Sequence, residues 1–181
     1  MLNCVERMVS AARDMEQIRR GKDVFKIVFL ITCVETLQRL SGKDERKKEM
    51  LLDFFETYTS IDDKNYIKKR FAHDDEERID SKKQEDSFRQ FIGVINEYRN
   101  CAAHEGDYWD YCFNNNLNKD EYPLLLIVKI DLVKYSRKNK KEHCFRTQIS
   151  YHDFEDIFVR TCIAFIAQYV ASQEDTSHAD T

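Results

Sequence analysis

"VFKIVFLITCVETLQRL", residues 24–40, decides how this chain folds. Val24, Phe25, Ile27, Val28, Phe29, Leu30, Ile31, Val34 and Leu37 are spread around the whole helical wheel. A helix that is apolar on every side needs other elements around it, so the run predicts the buried centre of a helical bundle. It is too short to cross a bilayer and carries Lys26. Asp23 is suited to cap its start, and Gly42 to stop it.

Working outward, residues 2–20 place Val5, Met8, Val9, Ala12 and Met15 on one stripe, which predicts an amphipathic helix with Gly21 as its stop. A third helix is expected over 44–59, burying Met50, Leu51, Phe54, Phe55 and Tyr58. Residues 61–86 are dense in charge. Tyr66, Ile67 and Phe71 can anchor a short helix there, and the remainder reads as solvated loop or exposed turns. A helix over about 82–103 follows, with Phe88, Phe91, Ile92 and Ile95.

Beyond "NNNLNKDEYP" the period changes from helical to two. Leu126, Val128, Ile130 and Leu132 alternate with polar residues. Phe145, Thr147, Ile149 and Tyr151 do the same after the basic turn "SRKNKK". The two runs predict a β-hairpin over about 124–150. A last helix over about 152–170 buries Phe154, Ile157, Phe158, Cys162, Phe165, Ile166 and Tyr169, and residues 172–181 are expected to be disordered. The fold class is therefore mainly α. We expect one domain over 1–171, an antiparallel helical bundle with a β-hairpin inserted before the last helix. Only 4 Gly and 1 Pro among 181 residues agree with helices rather than a turn-rich β architecture.

The formal net charge of −4 gives no global basic footprint, so any nucleic-acid contact must use local patches. None of the 6 Cys forms a CxxC pair, which excludes a zinc knuckle or a thioredoxin-like motif. Cys33 and Cys162 fall in apolar helical patterns and read as small core residues. The N-terminus has early charges and no uninterrupted apolar core. It is not a secretory signal, so a cytoplasmic protein with reduced thiols is expected, with no membrane partner.

"EYRNCAAHEG", residues 97–106, carries the candidate chemistry. On a wheel of about 100° per residue, Phe88, Phe91, Ile95 and Ala102 share an arc with Ile92 at its edge, and Arg99 lies inside it. A guanidinium on an apolar face is costly unless it is paired or opens onto a polar cavity. Asn100 and His104 are four apart, so an amide there can orient an imidazole. Arg99 and His104 are five apart, about 140° on a continuous helix. One straight helix cannot aim both at one atom. Either the helix bends near Ala102–Gly106, or two chains build the site across a symmetry axis.

The string Arg99-Asn100-Cys101-Ala102-Ala103-His104 resembles the Arg–polar–x–x–x–His signature of the HEPN superfamily. The resemblance covers the motif and the helical order. It implies an all-helical domain in which two copies meet in a homodimer and form one composite, metal-independent RNA-cutting site. It also implies a prokaryotic defence or toxin–antitoxin setting, with an antitoxin or regulatory protein as a further partner. One departure is Gly106, where the nucleotidyltransferase-paired branch has Tyr, so the tyrosine-modification control of that branch is not carried over.

The residue types suit the reaction. Histidine titrates near neutrality and serves as acid or base, and arginine presents a fixed fork to phosphate oxygens. The candidate catalytic residues are Arg99, His104 and Asn100. No cofactor and no metal are expected, because the chain shows no carboxylate cluster for a two-metal nuclease and its histidines share no metal-like spacing. Arg137, Lys138, Lys140 and Lys141 of the basic turn are candidates to grip the RNA backbone, as are Lys68, Lys69 and Arg70; a solvated face is the plainer reading of both groups. Tyr108, Trp109 and Tyr111 either stack on bases or pack on the bundle. Two rival readings stay open: a non-catalytic HEPN-like module that binds a nucleotide, RNA or a partner protein, and a plain helical scaffold.

Overall fold

The computed structural model describes residues 1–18, 23–42, 47–73, 87–100, 125–128 and 143–179. In chain order these form α1 (Leu2–Ile18), α2 (Asp23–Leu40), α3 (Lys47–Tyr58), α4 (Ile61–Arg70), β1 (Phe71–His73), α5 (Ser87–Asn100), β2 (Leu125–Val128), β3 (His143–Thr147) and α6 (Tyr151–Ala179). The protein is mainly helical, and its helices pack as a bundle around α2. Among the described residues, no helix is long and apolar enough to cross a membrane.

The apolar run of α2 is buried as its pattern requires: Val24, Ile27, Leu30, Cys33, Val34 and Leu37 are fully enclosed. Its C-terminus is closed by Gly42 at φ +79°, where the amide of Gly42 donates to the Arg39 carbonyl at 3.0 Å. A positive φ is the left-handed conformation that a helix-terminating glycine adopts at least cost. α1 lays Val5, Val9 and Ala12 against this centre.

α6 closes the other side through aromatic rings. Phe165 meets Phe54 at 5.3 Å and Tyr58 at 5.0 Å between centroids. Phe154 stands edge-on to Phe91 at 5.7 Å, and Phe91 in turn to Phe71 at 5.4 Å. These tilted and edge-to-face pairs add to the area they bury and link α3, α5, α6 and β1 in one core.

Two helices start with the same device. Ser60 precedes α4, where the Asp63 amide donates to Ser60 Oγ at 3.1 Å and Ser60 Oγ donates to Asp63 Oδ2 at 2.9 Å. Ser150 precedes α6, where the Asp153 amide donates to Ser150 Oγ at 3.1 Å and the Ser150 amide donates to Asp153 Oδ2 at 3.0 Å. The Ser150–Asp153 pair is a reciprocal box that satisfies two backbone amides, and at Ser60 the hydroxyl caps the Asp63 amide while the Asp63 carboxylate holds the hydroxyl.

Several expectations change. The short helix of the charged segment runs over Ile61–Arg70, and Phe71 leaves it to open a strand. That strand, β1, is unexpected. It pairs antiparallel with β3 (Phe71↔Thr147, Ala72↔Arg146, His73↔Phe145), and β3 pairs antiparallel with β2 (Leu126↔Phe145, Val128↔His143), giving the order β1-β3-β2. Thr147 and Ile149 are buried and Gln148 is exposed, as the alternation requires, but Tyr151 already belongs to α6. α6 does not stop near 170 and runs to Ala179, into the stretch expected to be disordered. Gly21 and the residues expected to form the basic turn of the hairpin lie outside the described residues.

α2 also differs from a purely apolar rod. Asp23 is its first residue, and Asp23 and Lys26 are both buried. Lys26 Nζ is ion-paired with Asp23 Oδ1 at 2.9 Å and with Glu16 of α1, with the Tyr151 ring 4.5 Å away. Burial alone pulls this ammonium's pKa down, but the two carboxylates outweigh it and hold the pKa above its ordinary value. Alongside, Arg13 Nε donates to the buried Glu155 Oε1 at 2.7 Å, tying α1 to α6.

Candidate functional site

α5 is the helix that presents the motif. Phe88, Phe91, Ile92, Val94 and Ile95 face the core, so the same face three and four residues on falls at Tyr98 and Arg99. Arg99 is accordingly buried, with 8% of its surface exposed. It sits in the last turn, where a cation also meets the negative end of the helix dipole.

Two neighbours meet the cost of burying that charge. The Nη2 group donates to Glu35 Oε1 of α2, an ion pair with both side chains largely enclosed. The Nη1 group donates to Asn100 Oδ1 at 3.0 Å. A guanidinium carries five N–H donors. Among the described residues these two contacts leave part of the fork unassigned, and Asn100 keeps its amide hydrogens. The arrangement can present a fixed positive charge and additional donors to an anion, which is what stabilising a phosphorane requires.

Glu35 is the partner of Arg99 that sequence reasoning missed. The signal was present: a buried arginine needs a carboxylate on a facing helix, and Asp23 and Glu35 are the acidic residues of α2. Asn100 Oδ1 accepts from Arg99, a contact the sequence did not reveal; its expected partner His104 lies outside the described residues. Glu97, two residues before Arg99, is half-buried.

His104, Tyr108, Trp109, Tyr111, Arg137, Lys138, Lys140 and Lys141 lie outside the described residues, so Arg99 and Asn100 are the motif residues located here. Of the other basic candidates, Arg70 stacks on Tyr66, its Cζ 3.8 Å from the ring centre, while Lys68 and Lys69 stand on α4. Two shallow grooves exist elsewhere. One, of about 250 Å³, is lined by Ser41, Tyr58, Phe165 and Tyr169 among others; one of about 230 Å³ is lined by Glu56, Lys64, Lys68, Phe88 and Arg89. Neither includes Arg99. Among the described residues, no group of His, Cys, Asp or Glu is placed to hold a metal ion.

Fold and site together define a helical-bundle protein with a buried arginine–carboxylate pair at the end of a motif helix. No family model, no curated protein and no solved structure matches the chain.

Proposed function

We propose that this protein is a metal-independent endoribonuclease of HEPN type, acting as a homodimer in a prokaryotic defence or toxin–antitoxin setting. The observation that carries the reading is Arg99. It lies buried at the end of α5, aimed by Glu35 and Asn100, five residues before His104. In this reading the bundle is antiparallel and HEPN-like, with β2, β3 and their connection forming a hairpin inserted before the last helix. His104 moves protons between the attacking 2′-hydroxyl and the leaving 5′-oxygen. Arg99 stabilises the charge that builds on the phosphate, and Asn100 holds the guanidinium and contributes its amide hydrogens. Arg137, Lys138, Lys140 and Lys141 grip the RNA backbone. The half-exposed Ile163 and Val170, seven residues apart on α6, offer an apolar stripe to a second copy.

The test is cleavage of end-labelled mixed RNA in excess EDTA, beside Arg99→Ala and His104→Ala variants that remain folded. Wild type should leave 2′,3′-cyclic phosphate ends, and each variant should lose about 100-fold or more in rate. A folded, dimeric His104→Ala protein that cuts as fast as wild type defeats the site assignment.

One observation favours a second reading. Glu35 already neutralises Arg99, and the grooves of the described surface lie away from it. In that reading the motif clamps α5 to α2 in a non-catalytic module that binds RNA, nucleotide or a partner protein. Binding without cleavage under any metal or EDTA condition, with Arg99→Ala losing stability only, selects it.

A further inference from the structure

Three cations line one groove. It is the hollow of about 230 Å³ where α3, α4 and α5 meet, with Lys64 and Lys68 from α4, Arg89 and Phe88 from α5, and Glu56 from α3. Three positive charges against one negative leave an excess of two. Like charges repel, so their gathering needs a reason. The dipole of α4 accounts for Lys68, which stands in its basic last turn, but Lys64 is mid-helix and Arg89 belongs to another element. Lysine stems also cover apolar surface, and Lys64 Nζ lies 5.9 Å from the centre of the buried Phe88 ring. A head group that only snorkels turns out to water. Lys64 instead donates to the Glu56 carbonyl, and both lysines are half-buried.

The neighbouring carboxylates are engaged already. Arg160 of α6 donates to Asp63 Oδ1 at 2.6 Å and to Oδ2 at 3.1 Å, and Glu56 pairs with Arg89 Nε at 2.7 Å. Among the described residues, that last pair holds Arg89 by one N–H, Lys64 gives one of its three to a backbone oxygen, and Lys68 meets no carboxylate.

We propose that this groove is a phosphomonoester-binding site, in which Lys64, Lys68 and Arg89 converge on the terminal oxygens of one phosphate group. A phosphate monoester carries a charge of about −1.5 to −2 at neutral pH and three strong acceptor oxygens. Both match the excess charge and the three cations. A backbone phosphodiester has one charge and two free oxygens, and matches less well. The Arg89 fork suits two oxygens, and the lysines act as point charges. Phe88 is too enclosed to stack on a base, so the groove reads the phosphate alone. A small free phosphomonoester and the phosphorylated end of an oligonucleotide carry the same group. Arg99 is ten residues further along α5, a rise of about 15 Å, so this site does not rest on the RNA-cleavage reading.

The experiment measures binding to the full chain with two pairs of probes. One pair is uridine 5′-monophosphate and uridine. The other is a 2′-O-methyl hexanucleotide with a 5′-phosphate or a 5′-hydroxyl, whose methylated oxygens cannot attack, so that binding is read without cleavage. A preference of about tenfold for the phosphorylated member is expected. If it is confined to the mononucleotide pair, the ligand is a small free phosphomonoester; if it is present in the oligonucleotide pair, the ligand is a strand end. Arg89→Gln and Lys64→Gln/Lys68→Gln should each erase the preference while staying folded by circular dichroism, and Arg99→Ala should keep it. No preference in either pair overturns the proposal, as does a preference that survives in the folded groove variants. A preference lost in folded Arg99→Ala protein also overturns it, because the phosphate would then sit at the motif.

Discussion

α2 carries a buried cation partner at each end, and the two are built differently. At its start Lys26 is enclosed by Glu16, Asp23 and the Tyr151 ring, with Arg13–Glu155 beside it. An ammonium has three N–H donors, and here two carboxylates and an aromatic face surround it. Toward its other end Glu35 holds Arg99, a five-donor group, with one carboxylate and one amide. Among the described residues, the first cation is surrounded on three sides, whereas the second is held by two contacts that use two of its five N–H groups. A charge that only fastens helices together is best fully surrounded; a charge that must act on a ligand is better held firmly from one side.

That comparison can be broken by substitution. Lys26→Ala should have the largest effect, because it leaves the fully enclosed Asp23 without its ammonium. A loss of about 3–5 kcal/mol is expected, read as a lower urea midpoint. Glu35→Ala should cost less, about 1.5–3 kcal/mol, because Arg99 keeps Asn100 and retains slight exposure. If Glu35→Ala proves the more damaging of the two, the distinction between a closed fastening and an open site fails. A Glu35→Met/Arg99→Met double variant sharpens it further. Purely structural residues replaced together by apolar ones should restore most of the stability. Restored stability with abolished RNA cleavage would identify the pair as working parts.

The smallest effect concerns the start of α6 and depends on pH. Burial pushes the Asp153 carboxyl up, but its bonds with the Ser150 side chain and backbone outweigh that and hold its pKa below the ordinary range. An unfolded Asp titrates near about 3.9. The depressed folded value therefore contributes stability that is present above about pH 4 and is lost as pH falls through that lower value. Ser150→Ala should cost about 1 kcal/mol at pH 7. Thermal melts at pH 7 and at about pH 2 should show the gap between wild type and variant narrowing in acid.

Helix periodicity made most of the bundle legible. α1, α2, α3 and α6 follow apolar patterns long enough to be unmistakable, and the arc through Phe91, Ile95 and Arg99 by itself puts an arginine on a buried face. What stayed hidden has no periodic signature. β1 is three residues long, too short for alternation to register, and exists because β3 offers it an edge. Pairing between Lys26 and Glu16, or between Arg99 and Glu35, joins helices whose relative rotation is set by packing. The Ser-x-x-Asp boxes at Ser60 and Ser150 were readable in principle, and they mark the starts of α4 and α6 more sharply than apolar spacing does.

The long sequence separation between α6 and the helices it covers has a consequence for how the molecule is made. Arg13 waits for Glu155, 142 residues later, and Thr59 for Thr161, 102 residues later. At the pace of a ribosome, about 5–20 residues per second, the first of these partners emerges on the order of ten seconds after the other. Throughout that interval the flank of Phe54 and Phe55 that α6 will cover has no lid. Translation speed between α3 and α6, and chaperone capacity while that stretch is read, should therefore affect how much of this protein reaches its folded form.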